Sequence, residues 1–287
     1  MIPHVAEAGE SRGRVVLQLC SGHPSPVALE AAIRVAQAFQ SGIESLCIEN
    51  RQLIELAGFP FAREISLTGR HSRSICSQDI EQEFRHAFAA VQRRIATLAK
   101  MAEVPVRQRV VRDEPIAALA ATCSECGPWN VVALAEPFGS LGSGSLRHLF
   151  ASVADTTGLV IVGPKARRTS GPVIVAVEDL DRLPSMLRAA ERLSSVTGGE
   201  LVVLLIADDH EHLHWMESQA LLLLSDRPDV RLLKAGFARG ASAAVAETLR
   251  KLRGGFVISQ FGGLVVPEDE DMRPLAAALE CPLFLVR

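Results

Sequence analysis

A run of β-forming residues, Val15-Val16-Leu17-Gln18-Leu19, returns as Val173-Ile174-Val175-Ala176-Val177. Each copy leads through a loop into an Ala-rich helical pattern, Ala28-Leu29-Glu30-Ala31-Ala32 in one case and Leu187-Arg188-Ala189-Ala190-Glu191 in the other. The ends of the two units also answer each other: Gly158-Leu159-Val160-Ile161-Val162 corresponds to Cys281-Pro282-Leu283-Phe284-Leu285-Val286. A repeat on this scale means one supersecondary plan used twice. Strand-like runs alternate with helical periods throughout, which is the pattern of a parallel α/β sheet. The runs are apolar almost without interruption, as strands covered on both faces must be.

Punctuation places the elements. The first unit reads as strands at 15–19, 44–48, 106–111, 130–135 and 159–162, with helices over 27–40, 79–102, one opened by Asp113-Glu114-Pro115, and one from about Leu146. The second reads as strands at 173–177, 201–206, 230–233, 256–259 and 283–286, with helices over 183–196, 213–225, 242–253 and 271–279. The expected organisation is a disordered N-terminus over 1–13, one repeat over 14–164 and a second over 172–287. The joint, Pro164–Pro172, is polar and bounded by prolines, and Arg167-Arg168 reads as a solvated pair. The fold class is α/β, with two tandem doubly wound, mainly parallel five-stranded sheets.

Charge and hydropathy narrow the function. A net charge of -3 over 287 residues gives no general electrostatic basis for nucleic-acid binding. No apolar run approaches the roughly 18 residues needed to cross a bilayer. The beginning of the chain carries acid and lacks the apolar core of an export signal, so a cytoplasmic location with reduced thiols is expected.

With the repeat and its strand order laid out, the chain resembles the universal stress protein family in its tandem form. The resemblance covers nearly all of 14–287 except the irregular segment at 50–77. It implies an adenine-nucleotide alpha hydrolase-like, Rossmann-like unit. In that family, an acid after the first strand lies near the nucleotide, and a loop of the form G-x2-G-x9-G-[ST] after the fourth strand holds phosphates. Here Gly139 and Gly142 match the first pair and Gly144-Ser145 the closing pair, with the spacer reduced to Ser143. Cys20 stands at the acid position in repeat one and Glu178 in repeat two. Repeat two carries neither glycine pair in Gln260-Phe261-Gly262-Gly263-Leu264-Val265-Val266-Pro267. Its matching helix is preceded by Glu268-Asp269-Glu270-Asp271, which would repel phosphate.

The implied ligand is ATP or another adenine nucleotide in repeat one, at Gly139, Ser140, Gly142, Ser143, Gly144 and Ser145. A strand-to-helix loop there can aim backbone N–H groups at an anion. The competing reading is a flexible connection with a Ser N-cap. The implied function is a non-enzymatic stress-response or regulatory protein. The alternatives are an interaction scaffold with decayed sites and a nucleotide-using transferase or hydrolase. The expected partners are another protein or a second copy, with the repeats forming an internal pseudo-dimer through 159–162 and 283–286; nucleic acid and a membrane span are not expected.

Three further groups have two readings each. Cys123-Ser-Glu-Cys126 has redox or metal-ligand spacing but lies near a helix end and not just after a strand, which favours two small core or surface thiols over a functional pair. His210, His212 and His214 could supply metal ligands or simply open a polar helix. Residues 51–77 form a long, apolar connection, read as covering the sheet end or meeting a partner.

Overall fold

The computed structural model describes residues 13–19, 24–66, 68–125, 130–134, 151, 156–237, 242–267 and 273–286. Its centre is one ten-stranded sheet. The first half contributes β1 (Arg14–Leu19), β2 (Gly42–Asn50), β5 (Val106–Asp113), β6 (Asn130–Leu134) and β7 (Thr156–Ile161). The second contributes β8 (Val173–Val177), β9 (Leu201–Ala207), β10 (Val230–Gly236), β11 (Phe256–Gln260) and β12 (Leu283–Val286). The order across the sheet is β10-β9-β8-β11-β12-β7-β6-β1-β2-β5. Each half is therefore doubly wound, with its first strand in the middle. Among the described residues, every pair within this sheet is parallel except one: β12 runs antiparallel to β7.

That exception joins the expected five-stranded sheets into one. Leu283 lies opposite Ile161, Phe284 opposite Val160, Leu285 opposite Leu159 and Val286 opposite Gly158. The two closing strands thus pair with each other, as the internal pseudo-dimer reading requires.

Helices cover both faces. On one face lie α1 (Pro26–Ala38), α3 (Ser77–Met101), α5 (Leu183–Thr197) and α6 (His210–Leu223), over Val15, Leu17, Val173 and Val175. On the other lie α4 (Pro115–Glu125), α7 (Ser242–Lys251) and α8 (Arg273–Ala278), over Val16, Val132, Ile174 and Ala176. Alternation along each strand sends consecutive side chains into these two cores, which is why the strands read as unbroken apolar runs.

Helix ends follow local chemistry. Pro26 occupies the first turn of α1, where its missing N–H costs nothing. Gly198 ends α5 in the left-handed conformation, with φ of 67°. The seam is fixed by side chains as well as by the strand ladder. Phe284 packs edge-on against Phe39 with centroids 6.0 Å apart, and the Arg192 guanidinium of α5 sits over the Phe39 ring.

Two expectations change. The joint at 164–172 is not a solvated linker: Ala166 and Thr169 are buried, Arg167 N–H donates to the Glu280 carbonyl, and Arg168 pairs with the Glu280 carboxylate at 3.0 Å. Arg168 also donates to the Gly254 carbonyl. Clamped to half two by a charge pair and backbone bonds, this segment is part of the packing. The 50–77 segment is not irregular. It folds into α2 (Arg51–Ala57), capped by the Asn50 side chain, and an antiparallel pair, β3 (Arg63–Ile65) and β4 (Ser72–Ser74). Ile54 and Ala57 are buried, whereas Phe59, Phe61 and Ile65 are exposed, Phe61 by 73%. The segment covers only with its inner face.

The seam makes a direct prediction. Phe284→Ala removes a ring that is 2% exposed and should destabilise the whole chain by about 3–5 kcal/mol. Urea unfolding followed by a probe in each half should show both halves shifting together. A shift confined to half two would mean that the halves fold independently.

Candidate functional site

In a doubly wound sheet, the crevice for a ligand opens beyond the carboxyl ends of the strands where the order reverses. Each half has such a point. In half one it lies between β1 and β6, in half two between β8 and β11. Because the halves meet antiparallel, the two crevices open at opposite ends of the sheet.

The candidate phosphate loop Gly139–Ser145 falls outside the described residues, as do Cys20 and the residues directly after β6. The strands that bound the half-one crevice are described: β1 and β6 are adjacent and parallel, with Leu19 and Leu134 at their ends.

Half two can be built residue by residue. Beyond β8 stands Glu178; beyond β11 the chain turns through Gly262 and Gly263 before buried Val265 and Val266. Gly262 takes a φ of 88°, which favours glycine, and its N–H closes the turn on the Val266 carbonyl at 2.8 Å. The turn points the next N–H groups inward. Those of Leu264 and Val265 both donate to the Glu178 carboxylate, Val265 to Oε1 at 2.9 Å and Leu264 to Oε2. Gly263 makes the approach possible, since a Cβ there would overlap the carboxylate. The loop thus displays adjacent N–H groups as an anion cradle does, and the anion they hold is the protein's own.

Around Glu178 lies a crevice of about 550 Å³, lined also by Ile206, Asp208, His212, Gln260 and Pro267. Asp208 and His212 come from the end of β9 and the start of α6, whose N-cap Asp209 accepts from the His212 N–H at 3.1 Å. That bond and its neighbours hold the Asp209 carboxyl below the usual range. Burial pushes the Glu178 carboxyl up, opposed by the Val265 and Leu264 N–H groups. Phosphate is disfavoured here: the Leu264 and Val265 N–H groups are taken by Glu178, and the described lining contains two carboxylates and no Lys or Arg.

The other groups separate. Cys123 is buried in α4, and Cys126 lies outside the described residues. The three histidines lie in the first turns of α6, where His210 and His214 share a face and His212 lines the crevice. Among the described residues no group of three or more His, Cys, Asp or Glu side chains could hold a metal ion. The acidic run 268–271 lies outside the described residues. Sequence reasoning placed Glu178 after the strand, at the family's acid position, without identifying what it would bond to. The signal for its actual partner was the Gly262-Gly263 pair in the opposing loop.

No family model matches the chain, and no curated protein matches it. Similar solved structures give the fold. A universal stress protein from Archaeoglobus fulgidus superposes with a TM-score of 0.59 at 14% identity, covering 96% of this chain and 97% of that one. A functionally unknown protein from Pseudomonas aeruginosa PAO1 gives 0.55 at 14% identity, covering 97% and 92%. The cytoplasmic domain of a prokaryotic cation chloride cotransporter gives 0.51 at 12% identity, covering 96% and 95%. The fold is that of the universal stress proteins. No helix among the described residues is long and apolar enough to cross a membrane.

The Glu178 site makes a prediction with a defined sign. A carboxyl held above its ordinary 4.5 by burial favours folding below that value, and the contribution is lost as pH rises through the folded value. Glu178→Gln, always neutral, lacks this loss. Its stability relative to the native chain should therefore rise between about pH 4 and about pH 7. Denaturant unfolding of both chains at the two pH values measures it. A relative stability that falls instead would mean that the N–H bonds to the charged carboxylate outweigh its burial.

Proposed function

We propose that this chain is a regulatory protein of the universal stress type in which ligand binding and scaffolding are divided between the halves. Half one takes an adenine nucleotide at Gly139–Ser145, and half two is a packing partner that takes no phosphate. The observation that carries the division is the Glu178 carboxylate on the Leu264 and Val265 N–H groups. It occupies donors in half two that a phosphate would need. In half one the corresponding position is Cys20, which carries no carboxylate, and the loop keeps three glycines and three serines. Glycines admit close approach of a phosphate to the backbone, and the N-terminus of a following helix favours the negative charge. With the spacer reduced to Ser143, the loop suits a compact phosphate group.

A scaffolding role for half two is favoured by the seam. Its last strand completes half one's sheet, and Phe284 packs against Phe39 of half one. Half two thereby supports the framework that positions half one's crevice.

Mass spectrometry of small molecules released from gently purified full-length protein tests the reading. An adenine nucleotide at about one per chain is expected, on the precedent of helix N-terminal phosphate sites. Gly142→Val and Gly144→Val should each remove it while leaving the unfolding free energy within about 1 kcal/mol of native. Calorimetry showing unchanged nucleotide affinity in both variants would overturn the assignment.

A further inference from the structure

Large apolar side chains exposed singly are ordinary on a protein surface; their gathering in one place is not. Among the described residues ten such side chains are exposed, and eight of them fall in two places. The first is the excursion from α2 to β4, with Leu56, Phe59, Phe61 and Ile65. The Phe59 and Phe61 rings stack on each other there, with centroids 5.3 Å apart. The second is α6, with Trp215, Leu221, Leu222 and Leu223. Trp215 and Leu222 lie two turns apart along one stripe, while the inner face buries Leu213, Met216 and Ala220.

The two places match in position and oppose in charge. The excursion follows β2 and α6 follows β9, the second strand of each half. Residues 51–75 carry four arginines against two glutamates. Both glutamates are paired, with Arg51 and Arg73, and among the described residues Arg63 and Arg70 are in no ion pair. Residues 208–229 carry six acids against one arginine, and that Arg227 is held by Glu191. Asp226 and Asp229, just beyond Leu223, are exposed. The patches do not meet within one chain: six strands stand between β2 and β9, which sets them on the order of 30 Å apart across the sheet.

We infer that the two patches are complementary sides of one interface between copies of this chain. The Phe59–Phe61 excursion of one copy seats on the Trp215–Leu222 face of α6 of a second. Apolar side chains meet at the centre, and arginines face acids at the rim. Pairing like patches would set cation against cation or acid against acid, which selects the unlike pairing. The contact is heterologous: a copy whose excursion is covered still offers its α6 face. It leaves the β7–β12 seam untouched and does not depend on nucleotide binding in half one.

Analytical ultracentrifugation of the full chain tests this. The mean mass should rise above one chain with concentration, and added salt should reverse the rise. Phe61→Asp and Leu222→Asp replace exposed side chains, so each should keep the native circular dichroism. Each alone should sediment as a single chain. Mixed in equal amounts, they should form complexes of two chains, one of each, because together they hold one intact excursion and one intact α6 face. Arg63→Glu should weaken self-association by about 5-fold, the upper range for one exposed charge pair. A native chain that stays single at every concentration overturns the inference, including one whose excursion instead binds phosphatidylserine vesicles through Phe61. So does an Asp variant that alone associates like the native chain, since like patches would then be pairing. A mixture that forms no complex, or an Arg63→Glu chain that associates as tightly as native, overturns it as well.

Discussion

The antiparallel pairing of β7 with β12 is the contact on which the rest of this molecule depends. Each half ends its sheet on an apolar strand, and an unpaired strand of that kind invites addition of another chain. Here each edge covers the other. Leu159, Val160, Leu283 and Phe284 are all buried, and the small Gly158 leaves room for the Phe284 ring beside it. Pairing makes the cores continuous across the seam, so α1 and α5 lie over one shared layer that includes Val160, Val162 and Phe284. It also fixes the direction of the two ligand crevices. An antiparallel joint sends the carboxyl ends of the two parallel sets to opposite ends of the sheet, and neither crevice can donate residues to the other.

Much of this was legible in the sequence because it rests on periodicity. A strand buried on both faces has to be apolar at every position, and Val173–Val177 and Leu201–Ala207 announce themselves that way. The repeat of Gly158–Val162 by Cys281–Val286 exposed the symmetry of the seam. The misread parts rest on long-range contacts. Arg167 and Arg168 look like a solvated pair until Glu280, more than a hundred positions away, supplies the partner. Residues 63–65 and 72–74 form a hairpin too short to show alternation, and its exposed faces carry Arg63 and Arg73 beside Ile65. Three-residue strands have no period to read.

Glu178 shows why the site was harder to read than the fold. An acid at the end of the first strand serves equally well facing a ligand or facing its own chain, and the choice depends on what the opposing loop presents. With Gly263 bare of a side chain, the carboxylate reaches the Leu264 and Val265 N–H groups. A loop built from backbone donors must have an anion or water at its mouth, because buried N–H groups are seldom left unpaired. Half two meets that requirement from within. The result is a loop whose Leu264 and Val265 N–H groups are already taken by the chain's own carboxylate.

The same economy governs the outer edges of the ten-stranded sheet. With β7 and β12 joined, the sheet ends at β5 and β10. Both carry cations along strands that would otherwise accept another chain. On β5, Arg109 pairs with Glu125, and Arg112 bridges Glu49 and Glu81 at 2.9 Å each. On β10, Lys234 reaches Glu217 of α6 at 2.6 Å. Exposed pairs of this kind contribute little to stability, about 0–1 kcal/mol each. Their effect lies in what they oppose. A strand added at either edge would have to displace or bury these charges, whereas β7 and β12 present only apolar side chains and glycine to each other. Charge at the outer edges and its absence at the inner ones explain together why the two halves join at β7 and β12 and the sheet stops at β5 and β10.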